Sequence, residues 1–229
     1  MHELVLVAAP ALVGTWATAW AWLRWRLRRP RGEPGIGERA PDLPDLQGAD
    51  GQTHTWTEFA RYRLLVLLFV SSRCPGVKAY HGRILRLHER LKPEGVGFVA
   101  VNPIDEGLYP SESLAQMEAE PRFPFAYVKD ADQRVMRAYG AICTPQVFVL
   151  DERRRLRYRG RIDDAMVESR VRRRHLEDAL ERLLAGRDVA VAETAPLGCS
   201  IERKPSLEGT TPDATPRVPG AVRAAAARQ

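Results

Sequence analysis

The chain has 229 residues, 45% of them hydrophobic, and a formal net charge of +6, which suits one cored domain with appendages. The excess charge is arginine spread over "RWRLRRPR", "ERRRLRYRGR" and "RVRRRH" with no recognition module beside it, so nucleic acid is not an expected partner. Cys74, Cys143 and Cys199 show no C-x-x-C spacing, which argues against a disulfide scaffold and a zinc site, and neither metal nor cofactor is expected.

Residues 4–23, "LVLVAAPALVGTWATAWAWL", carry no charge. A helix of about 20 apolar residues spans a bilayer's hydrocarbon core. Trp16, Trp20, Trp22 and Trp25 gather toward one end, as an interfacial belt does. The rival is a cleaved signal, but the stretch is long for a signal core and no positive segment precedes it. Arg24, Arg26, Arg28, Arg29 and Arg31 follow it, against His2 and Glu3 before it. The positive-inside rule then places the bulk of the chain in the cytoplasm. Residues 1–31 are expected to anchor the protein in the lipid of an inner or plasma membrane.

"RPRGEPGIGERAPDLPDLQGADG" is a turn-rich linker. The apolar run at 64–70 lacks alternation and predicts a strand buried on both faces. Val77, Tyr80, Ile84, Leu87 and Leu91 recur at helical spacing, with His81 and His88 assigned to the exposed side. "GVGFVAVN" predicts a second buried strand, parallel to the first. A helical insert, "SESLAQMEAE", is expected to be capped by Ser111. "DADQRVMRAYG" predicts a helix between Asp130 and Gly140. "QVFVLD" and "RLRYRGRI" predict two strands around "DERRR", and "RRRHLEDALERLLAG" a closing amphipathic helix. The domain is placed at 36–186, and 187–229, which contains Cys199, at an extended, largely disordered tail. The order βαβ, helical insert, ββ, α implies a three-layer α/β sandwich with a mixed sheet.

These blocks resemble the thioredoxin-fold redoxins, closest to the peroxiredoxin-like branch. The resemblance covers roughly 36–203 and rests on "GERAPDLPDLQGADG", "FVSSRCPGVKAY", "AICTPQVFVLD", "YRGRIDD" and "GCSIE" in that order. It implies a thioredoxin-like fold, a redox loop at Ser71–Cys74 and a cis-proline at Pro145. Many members of this branch carry C-x-x-C where this chain has Ser71-Ser72-Arg73-Cys74. Peroxiredoxins themselves show T/S-x-x-C, which Ser71 and Cys74 match, although their proline four residues earlier is Leu67 here.

With Ser71 as helix cap, Cys74 falls in the first turn, where unpaired N–H groups and the helix dipole favour a thiolate. Arg73 adds positive charge, and Ser71 is within reach of the sulfur. Such a thiolate attacks peroxide or a protein disulfide. A second thiol then resolves it, and an external donor such as thioredoxin restores it. Cys143 is the first candidate resolving thiol, because the resemblance sets the Thr144–Pro145 loop against the redox loop. Cys199 is the second, by folding back of the tail. Thr144 and Pro145 are the expected substrate-side residues, and Arg161 or Arg159 the arginine that steadies peroxide oxygens. The alternatives are a redox-inactive scaffold that binds a partner at the cis-proline groove, and an outward-facing thiol-disulfide reductase.

Overall fold

The computed structural model describes residues 33–120 and 122–205. The expected anchor at 4–23 and the tail beyond 205 lie outside the described residues. Among the described residues, no helix is long and apolar enough to cross a membrane.

A five-stranded mixed sheet forms the middle layer. Strand β1 (Leu46–Gln47) and β2 (Thr53–His54) make a separate small hairpin. Strand β3 (Leu64–Phe69) is central, and all its residues are buried. It pairs parallel with β4 (Val96–Asn102), which pairs parallel with β5 (Tyr127–Lys129). On its other side β3 pairs antiparallel with β7 (Gln146–Leu150), and β7 with β8 (Leu156–Gly160). The short strand β6 (Cys143–Thr144) precedes β7 and stands outside this sheet.

Alternation along the buried strands divides the core in two. Leu64, Val66 and Leu68 face helices α1 (Pro75–Leu91) and α4 (His175–Leu184), and pack on Val77, Tyr80, Ile84, Leu176 and Leu180. Leu65, Leu67 and Phe69 face the opposite layer, where α3 (Arg134–Tyr139) supplies Val135, Met136 and Tyr139. A fully buried leucine contributes about 1.5–3 kcal/mol, so both faces of β3 are needed to hold it central. The expected three layers and mixed sheet are present.

Several local expectations change. Helix α2 (Leu114–Ala119) in the insert is capped by Ser113, whose hydroxyl accepts from the Gln116 N–H, and not by Ser111. Asp130 lies ahead of α3, yet its carboxylate accepts from Val135 N–H and Met136 N–H. Residues 187–205 are not a loose tail. Arg159 N–H donates to Ala192 O, Thr194 N–H to Arg159 O, and strand β9 (Cys199–Ser200) pairs with β6. Buried Thr194 and Ile201 and these backbone bonds supply what composition alone did not reveal.

His88 is also corrected: it is buried, with its ring 5.3 Å from Phe98 and 4.8 Å from Phe125. Burial among these rings lowers its pKa below the ordinary 6.5. Between the folded and ordinary values the unfolded chain binds more protons than the native one, so stability falls as pH drops through 6.5. Urea denaturation at pH 5 and pH 7 is expected to show this loss in the wild type and a smaller one in His88→Phe. Equal losses in both proteins would remove His88 from the account.

Candidate active site

Strand β3 ends at Phe69, and the chain turns through Ser71, Ser72 and Arg73 into α1. Cys74 is itself the N-cap residue of α1, with extended backbone (φ −69°, ψ 119°) and Pro75 at the first helical position. Ser71 is therefore not the cap. Its hydroxyl donates to Glu112 at 2.7 Å instead of to sulfur.

Glu112 organises this turn. It is fully buried and accepts five hydrogen bonds, from Ser71 Oγ, Ser72 N, Ser72 Oγ, Arg73 N and Asn102 Nδ2. Burial pushes its pKa up, but these donors outweigh burial and hold it below the ordinary carboxylate value. The insert thus delivers a carboxylate to the loop that precedes Cys74. Sequence reading missed this residue, because an insert glutamate carries no local mark of burial.

Cys74 is only 2% exposed. Its thiol donates to the Thr144 carbonyl at 2.9 Å, and its Sγ lies 3.1 Å from Cys199 Sγ. Burial raises its pKa, yet hydrogen bonds with the Thr144 side chain, the Cys199 thiol and the N–H groups of Val77 and Cys199 outweigh it, so the pKa lies below the ordinary 9.0. The Cys199 thiol is shifted the other way, by its hydrogen bond to Cys74, by desolvation and by the charge on Cys74. Cys74 is therefore the thiol that ionises first, with Cys199 donating to it.

Pairing of β6 with β9 places Cys199 opposite Thr144, on the loop whose Thr144–Pro145 peptide bond is cis. Gly198 permits the approach, since a Cβ there would lie 2.0 Å from Thr144 O. Of the two candidate resolving thiols, Cys199 and not Cys143 is the one whose sulfur is set against Cys74. Cys143 is buried, and burial together with the nearby charges of Cys74 and Cys199 pushes its thiol up to about 12. Thr144 lines the cleft beside Cys74, and Cys143 does not.

A cleft of about 230 Å³ opens onto Cys74 and is lined by Arg73, Asp105, Tyr109, Thr144, Cys199 and Glu202, among others. The Arg73 guanidinium stacks on Tyr109, 4.1 Å from the ring centroid. Arg159 and Arg161 do not line this cleft. Arg159 lies buried with Glu33 at 3.8 Å and Glu193 at 3.3 Å, and Arg161 exerts its charge on Tyr80, Tyr158 and His175. The arginine expected to meet peroxide oxygens is thus neither of these, and Arg73 is the one beside the cleft. Among the described residues, no cluster of three His, Cys, Asp or Glu could hold a metal.

The layers, the thiol at a strand–helix joint and the Thr-Pro loop against it define a thioredoxin-fold thiol protein. The chain matches the Redoxin family over residues 36–172 and belongs to that family. No curated protein matches it. Among solved structures it is similar to a hypothetical protein from Sinorhizobium meliloti 1021, with 34% identity, a TM-score of 0.70, and coverage of 75% of this chain and 96% of that one. An uncharacterized conserved protein from Geobacillus kaustophilus has 34% identity, a TM-score of 0.69, and coverage of 75% and 94%. A thiol:disulfide interchange protein from Bacteroides sp. shares the fold at 14% identity and a TM-score of 0.50, with coverage of 67% and 92%.

Proposed function

We propose that this protein is a thiol oxidoreductase of peroxiredoxin-like type, with Cys74 as nucleophile and Cys199 as resolving thiol. The observation that carries this reading is the 3.1 Å contact between a thiol of lowered pKa and a second, exposed thiol. The Cys74 thiolate attacks one peroxide oxygen, the O–O bond breaks, and the leaving oxygen takes up a proton. Cys74 becomes a sulfenic acid. Cys199 sulfur, giving up its proton, attacks Cys74 sulfur, and water leaves as the disulfide forms. An external dithiol of the thioredoxin kind then attacks the exposed Cys199 sulfur and expels Cys74 as thiolate, the leaving group of lower pKa. The donor's second thiol frees Cys199 and closes the donor's own disulfide. A redox-inactive scaffold has no use for the second sulfur.

Peptide mapping after one equivalent of hydrogen peroxide is expected to show a single disulfide linking Cys74 to Cys199. Its rate is expected to rise with pH to a midpoint below 9.0. Cys74 remaining reduced, or pairing with Cys143, overturns the reading.

The second part of the proposal concerns place. The uncharged span 4–23 and the five arginines after it support an anchored protein whose redoxin domain faces the cytoplasm. Alkaline phosphatase fused after Gln229 is expected to be inactive, because it needs an oxidising compartment. An active fusion reverses the orientation and raises the outward-facing reductase reading.

A further inference from the structure

Cys74 is reached through the cleft, and one wall of that cleft is the chain's own strap, residues 198–204. The strap is fastened along its length. Cys199 and Ser200 pair with β6, and Ile201 is buried with its N–H on Ile142 O. Glu202 accepts from Tyr109 Oη through its carboxylate at 2.8 Å and from Gln133 Nε2 through its carbonyl. Lys204 donates its N–H to Gln133 Oε1 and its ammonium to Asp105.

We infer that this strap is a size filter: it admits small hydroperoxides to Cys74 and keeps macromolecular disulfides away from it. The inference rests on Cys74 being the reacting thiol. A thiolate attacking a disulfide needs three sulfurs in line, with the substrate's chain on both sides of the bond. Here the neighbouring space is taken by Cys199 Sγ on one side and the Thr144 carbonyl on another. The helix start beside the sulfur has no room for a side chain at Gly76: a Cβ there would lie 3.1 Å from Pro145 Cδ, 3.5 Å from Cys74 Sγ and 3.7 Å from Met166 Sδ. Peroxide needs only its O–O bond aligned with the sulfur. The 230 Å³ cleft is smaller than a typical drug-sized ligand pocket of about 300–1,000 Å³. Arg73, beside it, has no carboxylate partner among the described residues and offers donors to the oxygen that leaves.

The test measures sulfenic acid and disulfide formation at Cys74 in the full-length chain. Three oxidants are compared: hydrogen peroxide, cumene hydroperoxide and disulfide-bonded insulin. Hydrogen peroxide is expected to react about tenfold or more faster than cumene hydroperoxide, and insulin, tested on Cys199→Ser so that the exposed Cys199 cannot attack it first, is expected not to react with Cys74. Ile201→Ala, which loosens the strap, is expected to raise the cumene hydroperoxide rate at least about threefold while the hydrogen peroxide rate stays within about twofold. Tyr109→Phe, a milder change that removes only the bond to Glu202, is expected to act in the same direction. Hydrogen exchange at residues 198–201 verifies the loosening. Equal wild-type rates with both hydroperoxides, rapid reaction with insulin, or an unchanged ratio in loosened variants overturns the filter. No reaction with any oxidant instead sinks the reading of Cys74, and the filter with it.

Discussion

Cys199→Ser is expected to abolish turnover with hydroperoxide while the first oxidation of Cys74 survives. The serine hydroxyl still donates to the Cys74 thiolate, so the first step keeps most of its rate. It cannot form a disulfide, so the sulfenic acid has no partner in the position that Cys199 Sγ holds at 3.1 Å. A well-oriented intramolecular step has an effective molarity of about 10⁵ M or more, which dissolved thiols at millimolar levels do not replace. Turnover is therefore expected to fall about 100-fold or more, with dimedone-trappable Cys74 accumulating and advancing to sulfinic acid in excess peroxide. Cys143→Ser is the control. Cys143 is buried and its thiol is pushed up to about 12, so this variant is expected to turn over within about twofold of wild type once folded. Normal turnover in Cys199→Ser together with a dead Cys143→Ser would exchange the two assignments.

The pair of facing thiols was half legible. Cys74 announces itself by local pattern: an unbroken apolar strand, a turn, a proline and a helical stripe. Cys199 carries no such mark, since its position depends on β9 finding β6 across more than fifty residues of chain. A two-residue strand with both residues exposed has no periodicity to read. The layers were legible because each long strand is buried throughout, which only a covered sheet explains. His88 was legible in principle. It stands four residues after Ile84 and three before Leu91, on the apolar stripe, and assigning it to solvent put residue type ahead of position. Glu112 was not legible, because its partners come from a strand end and a loop whose approach is a fact of packing alone.

Glu112→Gln is expected to cost about 3 kcal/mol of stability and to loosen the loop that holds Cys74. The two carboxylate oxygens share the five donors. Oε1 receives Ser71 Oγ, Ser72 Oγ and Arg73 N, and Oε2 receives Ser72 N and Asn102 Nδ2. Whichever way a glutamine amide is turned, its NH₂ group faces donors. At Oε2 it would confront the Ser72 N–H and the Asn102 amide, and each buried donor left unpaired costs about 1–3 kcal/mol. The acid dependence separates this from a general packing defect. The folded pKa of Glu112 lies below the ordinary 4.5, so between the two values the unfolded chain holds the extra proton. This contribution is complete above pH 4.5 and is lost as pH falls through the lower folded value. The wild type is therefore expected to lose stability across that acid window in urea titrations, and Glu112→Gln to show a flatter curve there. Ser71→Ala removes one donor and leaves the carboxylate four, so it is expected to cost about 1 kcal/mol. In the double variant the two losses are expected to add to less than their sum, because the Ser71 hydroxyl donates more weakly to a neutral amide oxygen than to the carboxylate. Full additivity, or an unchanged acid window in Glu112→Gln, would mean that the carboxylate does not hold the loop as its hydrogen bonds indicate.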